Sequence, residues 1–172
     1  MTLEEDITMA YTAFDHNSDR SIAGLAFQKN VLAKLKLHQP ETEFVMVWDY
    51  FKEINPSLTD RQLSHLEKEF GDITYEHAGQ RHYIECCLAM GKKYSRLCEM
   101  KRLKFVGSNR WYCYGFKNSN SVVLFPSLVW KSYASKIKLA DDRSYRLVPI
   151  YSIKGLRAAA HSLESYWNIY HK

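Results

Sequence analysis

The spacing of apolar residues changes at Gly71, and this change limits the folds open to the chain more than any other feature. Before this position, apolar residues recur every three or four places, as at Phe44, Val47 and Phe51, which is typical of helices that bury one face. After it, polar and apolar residues alternate on both sides of a turn at Gly79, which is typical of a β-hairpin. The sequence therefore predicts a helical part followed by a sheet.

The predicted elements form a single α+β domain over residues 1–172. Its helices cover residues 3–14, 20–37, 41–54, the stretch from a Thr59 cap to a Gly71 stop, 126–136 and 154–170. Its strands cover residues 72–77, 81–88, 110–117, 121–125 and 145–149, while 92–104 stays open between a helix and a basic loop. The order predicts a three-layer α/β arrangement with N-terminal helices (1–70), a central mixed sheet that contains the hairpin (71–150) and flanking C-terminal helices (151–172 at the end).

Composition and cysteine content place the protein among intracellular globular domains. Of 172 residues, 46% are hydrophobic and 25% are charged. The longest apolar stretches are far shorter than the roughly 20 residues that cross a bilayer, and the first residues are acidic rather than a signal sequence. The four cysteines, Cys86, Cys87, Cys98 and Cys113, include no C-x-x-C pair, which favours reduced thiols. We therefore expect a cytoplasmic protein in a reducing compartment, without membrane contact.

Charge is divided unevenly between the two halves of the chain. Residues 1–90 carry 8 Lys or Arg and 15 Asp or Glu, a net charge of −7, whereas residues 91–172 carry 16 and 4, a net charge of +12. Such an excess attracts polyanions, of which phosphate backbones are the commonest in a cell. We expect nucleic acid to contact these basic residues: Lys92, Lys93, Arg96, Lys101, Arg102, Lys104, Arg110, Lys131 and Lys136. A solvated or membrane-facing basic surface is the alternative.

Two acids lie on the predicted hairpin. We expect a two-residue turn at Gly79 and Gln80, where glycine supplies a positive φ. This register sets Thr74 opposite Glu85 and places the carboxylates of Asp72 and Glu85 on one face. Two carboxylates a few ångströms apart repel unless a cation or a proton lies between them. The sequence therefore predicts an oxygen-ligated site for Mg²⁺ or Mn²⁺.

This hairpin resembles the core of the PD-(D/E)XK nuclease superfamily. The resemblance rests on Gly71-Asp72-Ile73 followed by Tyr83-Ile84-Glu85-x-Cys87, and it extends over about residues 20–136. It implies that Asp72 and Glu85 bind the metal ion, and that a residue from the preceding helix completes the site.

Gln28 occupies that helix position, where the superfamily usually has an acid. Its spacing from Leu25, Leu32 and Leu35 places it on the apolar face of the helix, where a polar group needs a partner. Contact with the site and a hydrogen bond to buried backbone both stay open.

Cys87 stands where the motif has a lysine, which orients the attacking water and stabilises developing phosphate charge. The resemblance therefore implies that Lys93, or Lys92, takes this role from the next segment. It also implies a Mg²⁺- or Mn²⁺-dependent endodeoxyribonuclease, of nicking or homing type, that hydrolyses phosphodiester bonds in double-stranded DNA. Its catalytic residues would be Asp72, Glu85, Gln28 and Lys93.

Other functions stay open on the sequence alone. Without a working lysine, the alternative is a catalytically inactive nuclease relative that binds DNA in a regulatory or blocking role. RNA-binding and protein-interaction modules are further alternatives, and a homodimer is not settled. Zinc at His77, His82 and the nearby cysteines is disfavoured because no paired ligand knuckle occurs. His161 and His171 are expected on the surface of the terminal helix.

Overall fold

A six-stranded mixed sheet lies at the centre of the part of the chain that this computed structural model describes, residues 19–89, 97–100, 105–116, 122–129, 146–149 and 159–171. The helices are α1 (Asp19–His38), α2 (Val47–Ile54), α3 (Asp60–Phe70) and α4 (Tyr166–Tyr170). The strands are β1 (Val45–Met46), β2 (Ile73–His77), β3 (Gln80–Ala89), β4 (Leu97–Met100), β5 (Arg110–Phe116), β6 (Val122–Pro126), β7 (Arg146–Pro149) and β8 (His161–Ser162). The prediction of an α+β protein is confirmed.

The six-stranded sheet has the order β1-β2-β3-β5-β6-β8. β3 and β5 run parallel, and the other neighbours in this sheet are antiparallel. Parallel neighbours need a crossover connection, which residues 90–109 supply. β4 and β7 form a separate antiparallel pair, so the stretch left open between helix and loop contains a strand.

The local sequence explains both ends of α3. The Thr59 hydroxyl accepts a hydrogen bond from the Gln62 backbone N–H, and the Gln62 side chain accepts one from the Thr59 N–H, which together form a capping box. Gly71 ends the helix with a φ of 84°, and a Cβ at this position would lie 2.8 Å from the carbonyl oxygen of Ile84. Only glycine fits there. The predicted cap and stop are both confirmed.

The helix predicted at 41–54 begins later than expected. Val45 and Met46 pair with Thr74 and Ile73 as β1, and the helix starts at Val47. A short apolar run suits a strand or a buried helix equally well, so its spacing alone cannot decide between them. Backbone pairing with β2 decides here.

In its described part, the helix predicted at 154–170 is confirmed at Tyr166–Tyr170 and wrong before it. His161 and Ser162 form β8, which pairs with Leu124 and Val123 of β6, and only the short α4 is helical after that. Pairing with a distant strand overrides the helical spacing of the apolar residues. The predicted helix at 3–14 and the part of the predicted helix beyond residue 129 lie outside the described residues.

Alternation along the strands divides the buried residues into two clusters, one on each face of the sheet. Phe27, Val31 and Leu35 of α1 belong to the first cluster. The second contains Phe105, Tyr112, Tyr114 and Phe125. Among the described residues, no helix combines the length and the apolarity needed to cross a bilayer.

Candidate functional site

The β2–β3 hairpin turns at Ala78 and Gly79, which have φ values of 50° and 73°. The predicted turn at Gly79 and Gln80 is therefore wrong, because Ala78 takes up a positive φ that alanine seldom adopts. Thr74 lies opposite Tyr83, two residues from the predicted partner. A shift of two residues preserves the face of every side chain, whereas a shift of one would have reversed it.

The two predicted acids are neighbours at the other end of this hairpin. The last paired residues are Ile73 and Ile84, so Asp72 and Glu85 occupy the next position outward on the two strands. Glu85 is half-buried. Alternation along β3, however, places Glu85 with Tyr83 and Cys87 on the side of the second cluster, whereas the Asp72 side chain bonds to Gln28 of α1, so this register does not bring the two carboxylates onto one face.

The Asp72 carboxylate is hydrogen-bonded at both oxygens. Gln28 Nε2 donates to Oδ1 at 2.8 Å, and the Cys86 backbone N–H donates to Oδ2 at 2.8 Å. The Asp72 backbone is fixed as well, because its N–H donates to the Ile84 carbonyl and its carbonyl accepts from the Val47 N–H. Asp72 therefore joins α1, β3 and the start of α2.

Gln28 reaches Asp72 from the margin of the buried face of α1. The expected apolar face was displaced, since Leu25 is 49% exposed and the buried stripe is Phe27, Val31 and Leu35. Of the two kinds of partner left open for Gln28, the structure shows a residue of the candidate site, Asp72, rather than buried backbone. α1 packs closely against β5, because the Phe27 ring occupies the space that a side chain at Gly115 would fill.

Glu67 is a third acid near this site, and sequence reasoning missed it. Burial, together with the negative charges of Asp72 and Asp49, raises the pKa of Glu67 to about 7. Glu67 lies in the last turn of α3, directly before the Gly71 stop and Asp72. Its closeness in sequence to Asp72 was the available signal. Glu69 lies on the same turn and is exposed, so sequence position alone does not distinguish the two acids.

Cys86 lies beside the site as a half-buried residue. Its hydrogen bond with Cys113, its burial and the nearby Asp72 charge all raise the pKa of the Cys86 thiol well above its usual range. The thiol is therefore a poor nucleophile. Cys87, at the position of the motif lysine, is half-buried and packs with the second cluster.

The structure describes one of the predicted nucleic-acid contacts, Arg110. Its Nη1 donates to the Glu69 carbonyl at 2.6 Å, and its guanidinium lies 5.2–5.4 Å from the rings of Phe70, Tyr83 and Phe105. Arg110 thus joins α3 to the sheet. The other predicted contacts lie outside the described residues: Lys92, Lys93, Arg96, Lys101, Arg102, Lys104, Lys131 and Lys136.

Three histidines, His77, His82 and His171, are in contact at the turn end of the same hairpin. The ring centroid of His171 lies 4.3 Å from that of His77 and 4.9 Å from that of His82. Trp111 Nε1 donates to His82 Nδ1 at 3.2 Å, and the Tyr75 hydroxyl is hydrogen-bonded to His171 Nε2 at 2.6 Å. Burial lowers the pKa of His82, and burial with the two neighbouring histidines lowers the pKa of His171 to about 4. The expectation that His171 is a surface residue of a long helix is wrong.

The residues around Asp72 do not fit a divalent cation in this arrangement. Mg²⁺ prefers several anionic oxygen ligands, whereas each Asp72 oxygen already accepts an N–H donor and the facing side chain of Gln28 is a neutral amide that presents its nitrogen. Within the described ranges, no group of three or more His, Cys, Asp or Glu side chains could hold a metal ion, and this includes the histidines considered for zinc.

Comparison with known proteins gives no match: no family model, no curated protein and no solved structure matches the chain.

Proposed function

We propose that the chain is a DNA-binding protein whose core is of the PD-(D/E)XK nuclease type. The observation that carries this proposal is the Gln28–Asp72 hydrogen bond, because the two residues are 44 positions apart and the resemblance expects them in one site. The three-layer form is supported by α1 on one face of the sheet and by α3 on the other, where Phe70 contacts Tyr83.

Duplex DNA is the proposed partner because of the charge division. The net charge of +12 over residues 91–172 follows the hairpin directly in the chain, and it suits a polyanion better than a neutral partner. In such an arrangement, the lysines and arginines would position the phosphate backbone.

Retention of DNA tests this proposal. We expect duplex binding that weakens steeply as salt is raised, and we expect the double reversal Lys101→Glu with Arg102→Glu to lower the salt dependence by about two phosphate contacts. Lys36→Glu with Arg61→Glu is the matched control, since it makes the same charge change at two exposed residues of the acidic half. Equal loss of binding in both variants, or binding that ignores salt, would contradict a DNA surface in the basic half.

A Mg²⁺- or Mn²⁺-dependent endodeoxyribonuclease is the second candidate, which the resemblance of the hairpin motif implies and which would require displacement of the N–H donors at Asp72. Incubation of supercoiled plasmid with either ion distinguishes the two. Nicking that disappears in both Asp72→Asn and Glu85→Gln, with melting curves showing that the variants fold, would establish the enzyme. Salt-dependent DNA retention without nicking supports the DNA-binding protein that does not cut.

A further inference from the structure

The acid that defines the nuclease-like site is bound by the protein's own N–H groups. Asp72 Oδ1 accepts from Gln28 Nε2, and Asp72 Oδ2 accepts from the Cys86 backbone, each at 2.8 Å. We propose that the Gln28 amide takes the place of a divalent cation at Asp72, so that the site keeps its carboxylate without a metal ion. This inference rests on the proposed function in so far as the nuclease-like core gives the site its resemblance to a metal site.

The chemistry of the amide fixes which of its atoms faces Asp72. An ionised carboxylate only accepts hydrogen bonds, so the amide nitrogen of Gln28 must face Asp72 Oδ1. If Gln28 Oε1 lay at that distance instead, two acceptor oxygens would repel each other. Gln28 therefore supplies partial positive charge where an acidic residue would supply a ligand. A cation that approaches Oδ1 from the side of α1 therefore has to displace the amide.

Packing holds both partners in this arrangement. Phe27 and Val31, on either side of Gln28 along α1, are buried in the core cluster on that face of the sheet. The Asp72 backbone is held by the Ile84 carbonyl and by the Val47 N–H. The hydrogen bond thus joins two positions that the fold has already fixed, so its donor is in place whenever the protein is folded.

Replacement of the Gln28 amide by a carboxylate changes the group that faces Asp72 from a hydrogen-bond donor to a negative charge. The Gln28→Glu variant sets a second negative charge directly against Asp72, an arrangement that a divalent cation or a proton must bridge. The same variant removes the donor that occupies Oδ1 in the natural protein. We therefore expect cation binding to appear with this single substitution.

Calorimetric titration with Mn²⁺, together with melting curves, tests the inference. We expect no saturable heat and no rise in Tm for the natural protein, whereas Gln28→Glu should show saturable binding and a Tm that rises with the logarithm of the Mn²⁺ concentration. Addition of Asp72→Asn to that variant should abolish the binding. Asn30→Asp is the matched control, since it adds the same charge at an exposed residue two positions along α1 and should leave Mn²⁺ binding absent.

Saturable Mn²⁺ binding by the natural protein that Asp72→Asn removes would overturn the inference, and so would a folded Gln28→Glu variant that binds no Mn²⁺. If Gln28→Glu does not fold, Gln28→Ala replaces it: loss of the donor alone should give weak but saturable Mn²⁺ binding, and its absence overturns the inference. Duplex retention by the natural protein in a chelator is measured separately. Loss of that retention with Mn²⁺ binding still absent would refute DNA binding while leaving the cation inference intact.

Discussion

Ionisable groups of opposite sign lie near the two ends of the β2–β3 hairpin, and burial shifts their pKa values in opposite directions. Near the Asp72 end, burial raises the pKa of Glu67 to about 7. At the turn end, burial lowers the pKa of His171 to about 4. In both cases like charges nearby add to the effect of burial. The comparison shows that the fold disfavours charge on these two groups whatever its sign, while the Asp72 carboxylate receives two N–H donors.

The glycines at the two ends should give the largest difference in stability. Gly71→Ala forces a side chain into a positive φ and against the Ile84 carbonyl, so we expect a loss of about 3–4 kcal/mol in the free energy of unfolding. Gly79→Ala has a similar φ but meets nothing within 4 Å, so it should lose only about 1–2 kcal/mol. Urea unfolding measures both, and equal losses would show that the contact at the Asp72 end is relieved by movement of the backbone.

Acid should weaken the turn end. His171 titrates at about 4 in the folded protein against 6.5 for an ordinary histidine, so the unfolded chain binds the proton first as the pH falls. The stability contributed by neutral His171 is therefore present above pH 6.5 and lost toward pH 4, a change of roughly 2 kcal/mol after allowance for solvent screening.

The His171→Gln variant keeps a hydrogen-bonding partner for Tyr75 but does not titrate, so its free energy of unfolding should vary less between these pH values. His65→Gln, at an exposed histidine of α3, is the control. An unchanged pH dependence in His171→Gln would assign the effect to other groups.

Alkali should weaken the Asp72 end. The pKa of Glu67 is raised from 4.5 to about 7 in the folded protein, so its favourable contribution is complete below pH 4.5 and is lost as the pH rises through 7. Glu67→Gln should therefore raise the free energy of unfolding at pH 8 by roughly 1–2 kcal/mol and change it little at pH 4. Glu69→Gln, at an exposed acid of the same turn, should show no such difference between the two pH values.

The smallest expected effects concern two buried tyrosines near the turn end. Tyr75→Phe removes the hydrogen bond to His171 and should cost about 1 kcal/mol. Tyr166→Phe should change stability by less than about 0.5 kcal/mol, since the buried Tyr166 hydroxyl interacts with the Tyr75 hydroxyl but makes no hydrogen bond of regular geometry among the described residues. Thermal unfolding compares the two. A larger loss for Tyr166→Phe would show that its hydroxyl has a partner.

Local patterns predicted those parts of the fold that local chemistry determines. The Thr59 cap, the Gly71 stop and the existence of the hairpin each depend on a few adjacent residues, and all three were found. The turn was displaced because Ala78 adopts a positive φ, which its residue type does not suggest. The packing of His171 could not be predicted, because it depends on the pairing of β8 with β6 far back in the chain.

For the candidate site too, the sequence predicted some residues and missed the contacts of others. Alternation along the hairpin predicted Asp72 and Glu85 on one face, whereas the structure places Asp72 before the first paired residue of β2 and Glu85 on the side of Tyr83 and Cys87. The partner of Gln28 and the environment of Glu67 depend on how helices pack against the sheet, which spacing within one helix does not specify. Whether these residues act in catalysis stays a prediction.

The six-stranded sheet is bordered on both sides by strands of only two residues, β1 and β8. An unpaired strand exposes a row of backbone donors and acceptors that can recruit a second chain, and the hazard grows with the length of that row. With such short borders, the sheet offers another chain little backbone to extend. Among the described residues, the border strands β1 and β8 are therefore themselves poor templates for the addition of another chain.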